Sequence, residues 1–172
     1  MTEVLIVFHS RYGHCRMVAE ALSRKRGWAL GEVACLAGRR RYLRCALDAL
    51  LRREPEIRYT GAGPSQFDGV VLVSPVWCWR LCPPIRRFVR SMADRLTDVA
   101  VLSCMGGSGA ANAVAEVERL LGRPVVAQLA LRQADIEAGR HDAALGAFGD
   151  EVAVRAGTRG RPAAIRLAPV RA

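Results

Sequence analysis

The apolar run Val4-Leu5-Ile6-Val7-Phe8 passes without a break into a short turn, His9-Ser10-Arg11-Tyr12-Gly13-His14-Cys15, and the turn opens onto a helical pattern. A run that is apolar at every position, rather than at alternate ones, reads as a strand buried on both faces, which is the habit of parallel sheets. The turn sets backbone N–H groups, a hydroxyl and a glycine at the start of a helix. Amides without intrahelical acceptors, together with the positive end of the helix dipole, favour a bound anion. The anionic end of any ligand is therefore expected on Ser10, Arg11, Tyr12, Gly13, His14 and Cys15.

Strand and helix patterns then alternate along the chain. Met17, Val18, Ala21 and Leu22 repeat at helical spacing, and Arg24-Lys25-Arg26-Gly27 supplies a cationic end and a glycine stop. A weaker strand spans 28–36, and an amphipathic helix is expected over 39–53. The stretch 54–66 holds Pro55, Gly61, Gly63 and Pro64 and reads as a surface connection. Val70-Val71-Leu72-Val73 forms a third strand ending at Ser74, and Pro83-Pro84 opens a helix striped by Ile85, Phe88, Val89 and Met92. A fourth strand over 99–103 leads to a helix that stops at Gly122, a fifth spans 125–131, and a last helix spans 142–154. Five such alternations make a doubly wound α/β fold with a five-stranded parallel sheet the economical expectation. Ligands of such sheets sit beyond the carboxyl ends of the strands, where strand order reverses. Loops 9–15, 74–79 and 103–109 stand at those ends and are expected to converge on one crevice.

The length of 172 residues suits one domain, set at 1–154, with a basic and flexible tail at 155–172. No stretch has the ~18 consecutive apolar residues of a membrane span, and the first apolar run, preceded by Glu3, is too short for a signal peptide, so a cytoplasmic protein is expected. The net charge of +10 is concentrated, with +4 in residues 39–58 and +5 in residues 155–172. The tail carries arginines but no aromatic residues, which argues against specific nucleic-acid binding. Of the 26 basic residues only Lys25 is a lysine, a bias that gene composition explains as well as selection for a partner. Cysteines stand at 15, 35, 45, 78, 82 and 104 without a CxxC pair, and His9, His14 and His141 complete no zinc pattern, so free thiols and no metal are expected.

Missing motifs narrow the choice among doubly wound folds. No GxGxxG follows the first strand, no Walker-type loop exists, and His9 and Ser74 stand where a phospho-acceptor receiver needs carboxylates. Cys35 and Arg41 have the separation of a cysteine-phosphatase loop, but the residues between them run into a charged helical stretch, and the match is coincidental. Three segments instead resemble the flavodoxin-like family, over roughly residues 3–154. Ser10-Arg11-Tyr12-Gly13-His14-Cys15 resembles its phosphate loop, S/T-x-T-G-N-T. Ser74-Pro75-Val76-Trp77 resembles its first flavin-ring loop, with Pro83-Pro84-Ile85-Arg86-Arg87-Phe88 matching the helix beyond, and Cys104-Met105-Gly106-Gly107-Ser108-Gly109 resembles the second. The likeness is nearest to short flavodoxin-related proteins and flavin-dependent reductases.

The resemblance implies strand order 2-1-3-4-5 and FMN as cofactor. Its phosphate would lie on residues 10–15, and its ring among Pro75, Val76, Trp77, Cys78 and Trp79 on one side and Gly106, Gly107, Ser108 and Gly109 on the other. Tyr12 and Cys15 replace the family's hydroxyls, His14 its asparagine, and Trp79 a common glycine. A thiol is a weak donor, so phosphate would depend on Ser10, backbone amides, and the charge of Arg11 or His14. The flavin carries the redox chemistry and the protein tunes it. No side chain is an evident acid, base or nucleophile; His9 and His14 are the candidate proton donors, and Cys78, Cys82 and Cys104 lie near the expected crevice. Three readings follow: an oxidoreductase passing electrons from NAD(P)H to a quinone or similar small-molecule acceptor, an electron carrier, and a module with a degenerate cofactor loop that serves as a binding protein. Carriers of the family are generally acidic, and the basic charge argues against the second. A homodimer is compatible with each.

Overall fold

The computed structural model describes residues 2–36 and 55–157. Strand β1 (Val4–Phe8) is buried along its whole length and is followed by helix α1 (His14–Arg26) and strand β2 (Ala29–Cys35). Strand β3 (Ile57–Thr60) and a 3-10 turn at Pro64–Gln66 lead to β4 (Gly69–Trp77), which folds back as the two-residue β5 (Arg80–Leu81). Helix α2 (Pro83–Met92) with a second 3-10 turn at Ala93–Arg95, strand β6 (Asp98–Met105), helix α3 (Ala110–Leu121), strand β7 (Ala127–Arg132) and helices α4 (Gln133–Glu137) and α5 (Asp142–Arg155) complete the described chain.

The sheet order is β3-β2-β1-β4-β6-β7, with β5 paired to β4. Its parallel members β2-β1-β4-β6-β7 have the expected order 2-1-3-4-5. Two strands were not anticipated. β3 lies antiparallel to β2 inside the stretch read as a surface connection, because Ile57 and Tyr59 alternate inward from a four-residue run too short to show a period. β5 is created by a hairpin, and β4 runs on to Trp77 rather than ending at Ser74. The short helix α4 was also missed, having fewer turns than periodicity needs. The helix expected over 39–53 and the tail from residue 158 lie outside the described residues. α5 itself reaches Arg155, and Ala156 is buried, its amide bonded to the Val152 carbonyl.

Alternate residues of the central strands feed opposite cores. Val4, Ile6 and Phe8 pack with Val18 and Leu22 of α1 and Leu145, Phe148 and Val152 of α5. Leu5 and Val7 pack with Ile85, Phe88 and Val89 of α2 and Val114 and Val117 of α3. Burial on both faces is why β1 and β4 are apolar at every position. Registers align Phe8 with Val73 and Val73 with Leu102, so the carboxyl ends of the three strands share one sheet edge, with β4 and β6 running on past β1 to Trp77 and Met105. The loops that follow have nowhere to go but the same sheet edge, and β1 and β4 flank the point where the chain order reverses.

Candidate functional site

Beyond Phe8, His9 is buried, and its Nδ1–H donates to the Val33 carbonyl at 2.8 Å. A carbonyl only accepts, so this bond sets the tautomer and leaves Nε2 without a proton in the neutral ring. The ring stands edge-on to Trp77, centroids 5.7 Å apart at 83°. Burial lowers the His9 pKa, with the Val33 bond and Glu32 opposing and Arg11 assisting. The imidazole is thus a neutral wedge between β2 and the ring of Trp77.

A base whose folded pKa lies below its ordinary 6.5 makes the folded state bind fewer protons. Stability from this group is therefore complete above that value and is lost as pH falls through the lowered one. His9→Asn is expected to flatten the decline in Tm between roughly pH 7.5 and pH 5 relative to the unaltered protein. Parallel curves in thermal melts would refute the assignment.

At the start of α1, Gly13 takes φ +97 as the N-cap, and its amide donates to Ser10 Oγ at 3.1 Å. The first intrahelical bond is Met17 N–H to the Gly13 carbonyl, so the amides of His14, Cys15 and Arg16 precede it, and no side chain caps the helix. A Cβ on Gly13 would meet nothing within 4 Å. The cost of Gly13→Val is therefore conformational alone, about 1–2 kcal/mol. Urea unfolding should register that loss, together with weaker binding of any anion at the turn; an unchanged midpoint would count against the left-handed cap.

The other two loops approach each other closely. Val76 pairs with Leu81 and Trp77 with Arg80, leaving Cys78-Trp79 as a two-residue hairpin turn with φ +50 and +58. These are the signs of a type I′ turn, which suits asparagine and glycine far better than tryptophan. Such strain tends to persist where surrounding contacts hold it. Trp79 Nε1–H donates to Ser108 Oγ at 3.0 Å, which bridges the two loops. A Cβ on Gly109 would lie 2.7 Å from Trp79 Cα, so only glycine permits this approach.

One cleft of about 160 Å³ is lined from all three loops: Ser10, Arg11, Tyr12, His14 and Cys15; Pro75, Val76 and Trp77; and Cys104, Met105 and Gly106, with Gln133 at one side. A second depression of about 340 Å³ adjoins it and shares Ser10, Arg11 and Trp77. Tyr12 is 66 % exposed and Trp79 64 %, so neither ring plugs the cleft. Not every expected residue faces it. Cys78 and Trp79 line a separate groove toward α3, Ser108 is engaged by Trp79, and Gly107 is exposed. His14 lines the cleft but its Nε2 meets Glu137 Oε1 at 2.9 Å. Gln133 and Met105 were missed. Gln133 directly follows β7, so the strand-end rule could have found it; Met105 lay inside a recognised loop but carried no polar signal.

Among the described residues no cluster of three His, Cys, Asp or Glu side chains could hold a metal ion, and no helix is long and apolar enough to cross a membrane.

No protein-family profile and no curated protein matches the chain. Solved structures do. A flavoprotein from Lactobacillus acidophilus NCFM, in complex with FMN, is 23% identical over 81% of this chain and 98% of that chain, with a TM-score of 0.66. A WrbA-like flavodoxin from Agrobacterium tumefaciens is 12% identical over 91% and 99%, with a TM-score of 0.55. The two-electron reduced flavodoxin of Megasphaera elsdenii is 16% identical over 88% and 98%, with a TM-score of 0.56. Likeness at such identities speaks for the architecture, and the architecture is flavodoxin-like.

Proposed function

We propose, with the flavodoxin-like fold as premise, that the three-loop cleft holds FMN and that the chain is an electron-transfer flavoprotein passing electrons from NAD(P)H to a quinone or similar acceptor. One observation carries the reading: loops 10–15, 75–77 and 104–106 meet in a single cleft at the reversal of strand order. The L. acidophilus relative, of the same fold, was solved with FMN, which supports the choice of ligand.

The residues present fit the group. Amides of His14, Cys15 and Arg16 lie at the positive end of α1, and Arg11 lines the cleft beside them, as a phosphate requires. Pro75, Val76, Trp77 and Met105 offer apolar walls for a flat ring, and Gly106 lets the backbone approach its edge. When bound, the flavin supplies the redox chemistry by accepting and releasing electrons. The chain would orient it, Trp77 would shield it from water, and His9 stands in a fixed neutral tautomer edge-on to that tryptophan.

A binding module without cofactor is the second reading. It is favoured by Ser10 Oγ occupying the Gly13 amide and by Glu137 holding His14, which remove two groups from a phosphate. Titration of flavin fluorescence separates the readings. FMN is expected to bind saturably, and riboflavin, lacking phosphate, at least about tenfold more weakly, a difference of ~1.4 kcal/mol. Washed protein without flavin absorbance after soaking in FMN would leave the second reading standing. NAD(P)H oxidation dependent on added quinone then tests the oxidoreductase assignment.

A further inference from the structure

Two thiols meet in the floor of the cleft. Cys15 lies in the first turn of α1 and Cys104 near the end of β6; both line the cleft, and both are otherwise buried. Both belong to the core on the α1 side of the sheet, and the neighbouring Cys104 thiol is the first cause of the raised Cys15 pKa. Cys82, a third buried thiol, belongs to the opposite core, where it accepts a hydrogen bond from Ser74 Oγ at 3.3 Å. Cys35 lines the adjoining depression and Cys78 the groove toward α3, and neither lines the cleft. Neither Cys15 nor Cys104 is therefore a lone cysteine: each has the other beside the same cleft and a shared route to solvent.

We propose that Cys15 and Cys104 are a redox couple, a cleft-floor dithiol that closes to a disulfide by reaction with a low-molecular-weight disulfide. One cysteine, as thiolate, attacks a sulfur of the external disulfide, forming a mixed disulfide and expelling one small thiolate. The second cysteine, as thiolate, displaces the other small thiolate and forms the internal S–S bond. The pair loses two electrons and two protons; the external disulfide takes both and leaves as two thiols. Closure joins the first turn of α1 to the end of β6, two walls of one cleft, so the oxidation state of the pair sets how freely those walls move apart. Contact with its partner thiol, then burial, raises the Cys15 pKa, which makes exchange slow and leaves the exposed cysteines to react first. The couple is independent of the flavin reading, because the two thiols meet whether or not a flavin binds.

The test uses full-length protein freed of flavin, carrying Cys35→Ser, Cys45→Ser and Cys78→Ser to remove competing thiols. Incubation with oxidised glutathione, alkylation and intact mass measurement should show the loss of two hydrogens with no glutathione retained. A non-reducing digest should join the peptides of Cys15 and Cys104, and dithiothreitol should release them. Adding Cys82→Ser should leave the product unchanged, whereas Cys15→Ser or Cys104→Ser should abolish it. Should the triple variant fold poorly, the digest of the unaltered protein decides the same point. Recovery of Cys15 and Cys104 as alkylated thiols after full oxidation, or a bridge from either to Cys82, would overturn the proposal.

Discussion

Gly109→Ala is expected to cost the fold about 2–4 kcal/mol and to part the loops that Trp79 and Ser108 hold together. Two penalties combine. The position has φ +107, where any side chain is strained, and its Cβ would press to within 2.7 Å of Trp79 Cα and 3.1 Å of Val76 Cγ1. The obstacle is backbone, already held at a left-handed tryptophan, and it has no flexible end to swing aside. Relief requires the 106–109 loop to retreat, which stretches the 3.0 Å bond from Trp79 Nε1 to Ser108 Oγ. For a domain of this size such a loss lowers Tm by roughly 5–15 °C. Gly107→Ala is the control, since nothing lies within 4 Å of its Cβ position, and a change within about 0.5 kcal/mol is expected there. Calorimetry that finds the two variants equally stable would show that the loops do not approach as described. If the proposed function holds, the first variant should also retain FMN less well than the second.

The contrast between these neighbouring glycines shows where sequence reading reaches its limit. Both stand in a loop that resembles a flavin-ring loop, yet only one has its side-chain space filled by a residue thirty positions earlier in the chain. The major strands were legible because two-sided burial leaves an uninterrupted apolar run, and strand ends locate loops by topology alone. The roles of side chains within those loops were not. His14 is tied to Glu137 across 123 residues, and Cys15 and Cys104, from α1 and β6, line one cleft. Such pairings leave no periodicity, because each depends on where the strands between them place the partner. β5 was hidden for another reason: Cys78-Trp79 has none of the residue types that normally announce a type I′ turn, and tertiary contacts hold it against local preference.

Glu116→Leu carries the second large effect, a loss of about 3–5 kcal/mol, because it strands a charge in the core. Arg86 is 1% exposed; its Nε donates to Glu116 Oε1 at 2.7 Å and its Nη2 to the Leu81 carbonyl at 3.1 Å, while Nη1 is buried without a partner. The guanidinium thus fastens α2 to α3 and both to β5, the return strand of the hairpin that presents Trp77 and Trp79. Removing the carboxylate leaves the arginine charged, since its protonation resists even deep burial. Arg86→Met is milder, about 2–4 kcal/mol, because Glu116 retains Arg119 at 3.9 Å and borders a groove open to water. The double variant Arg86→Met with Glu116→Leu should be more stable than either single one, since an apolar pair fills the site and no unpaired charge or orphaned Nη1 remains. Urea denaturation of the four proteins closes the cycle. Additive losses would mean that the pair acts through packing alone. Strong coupling, with hydrogen exchange at residues 78–81 faster in Arg86→Met and in the double variant than in the unaltered protein, would show that the ion pair holds the hairpin.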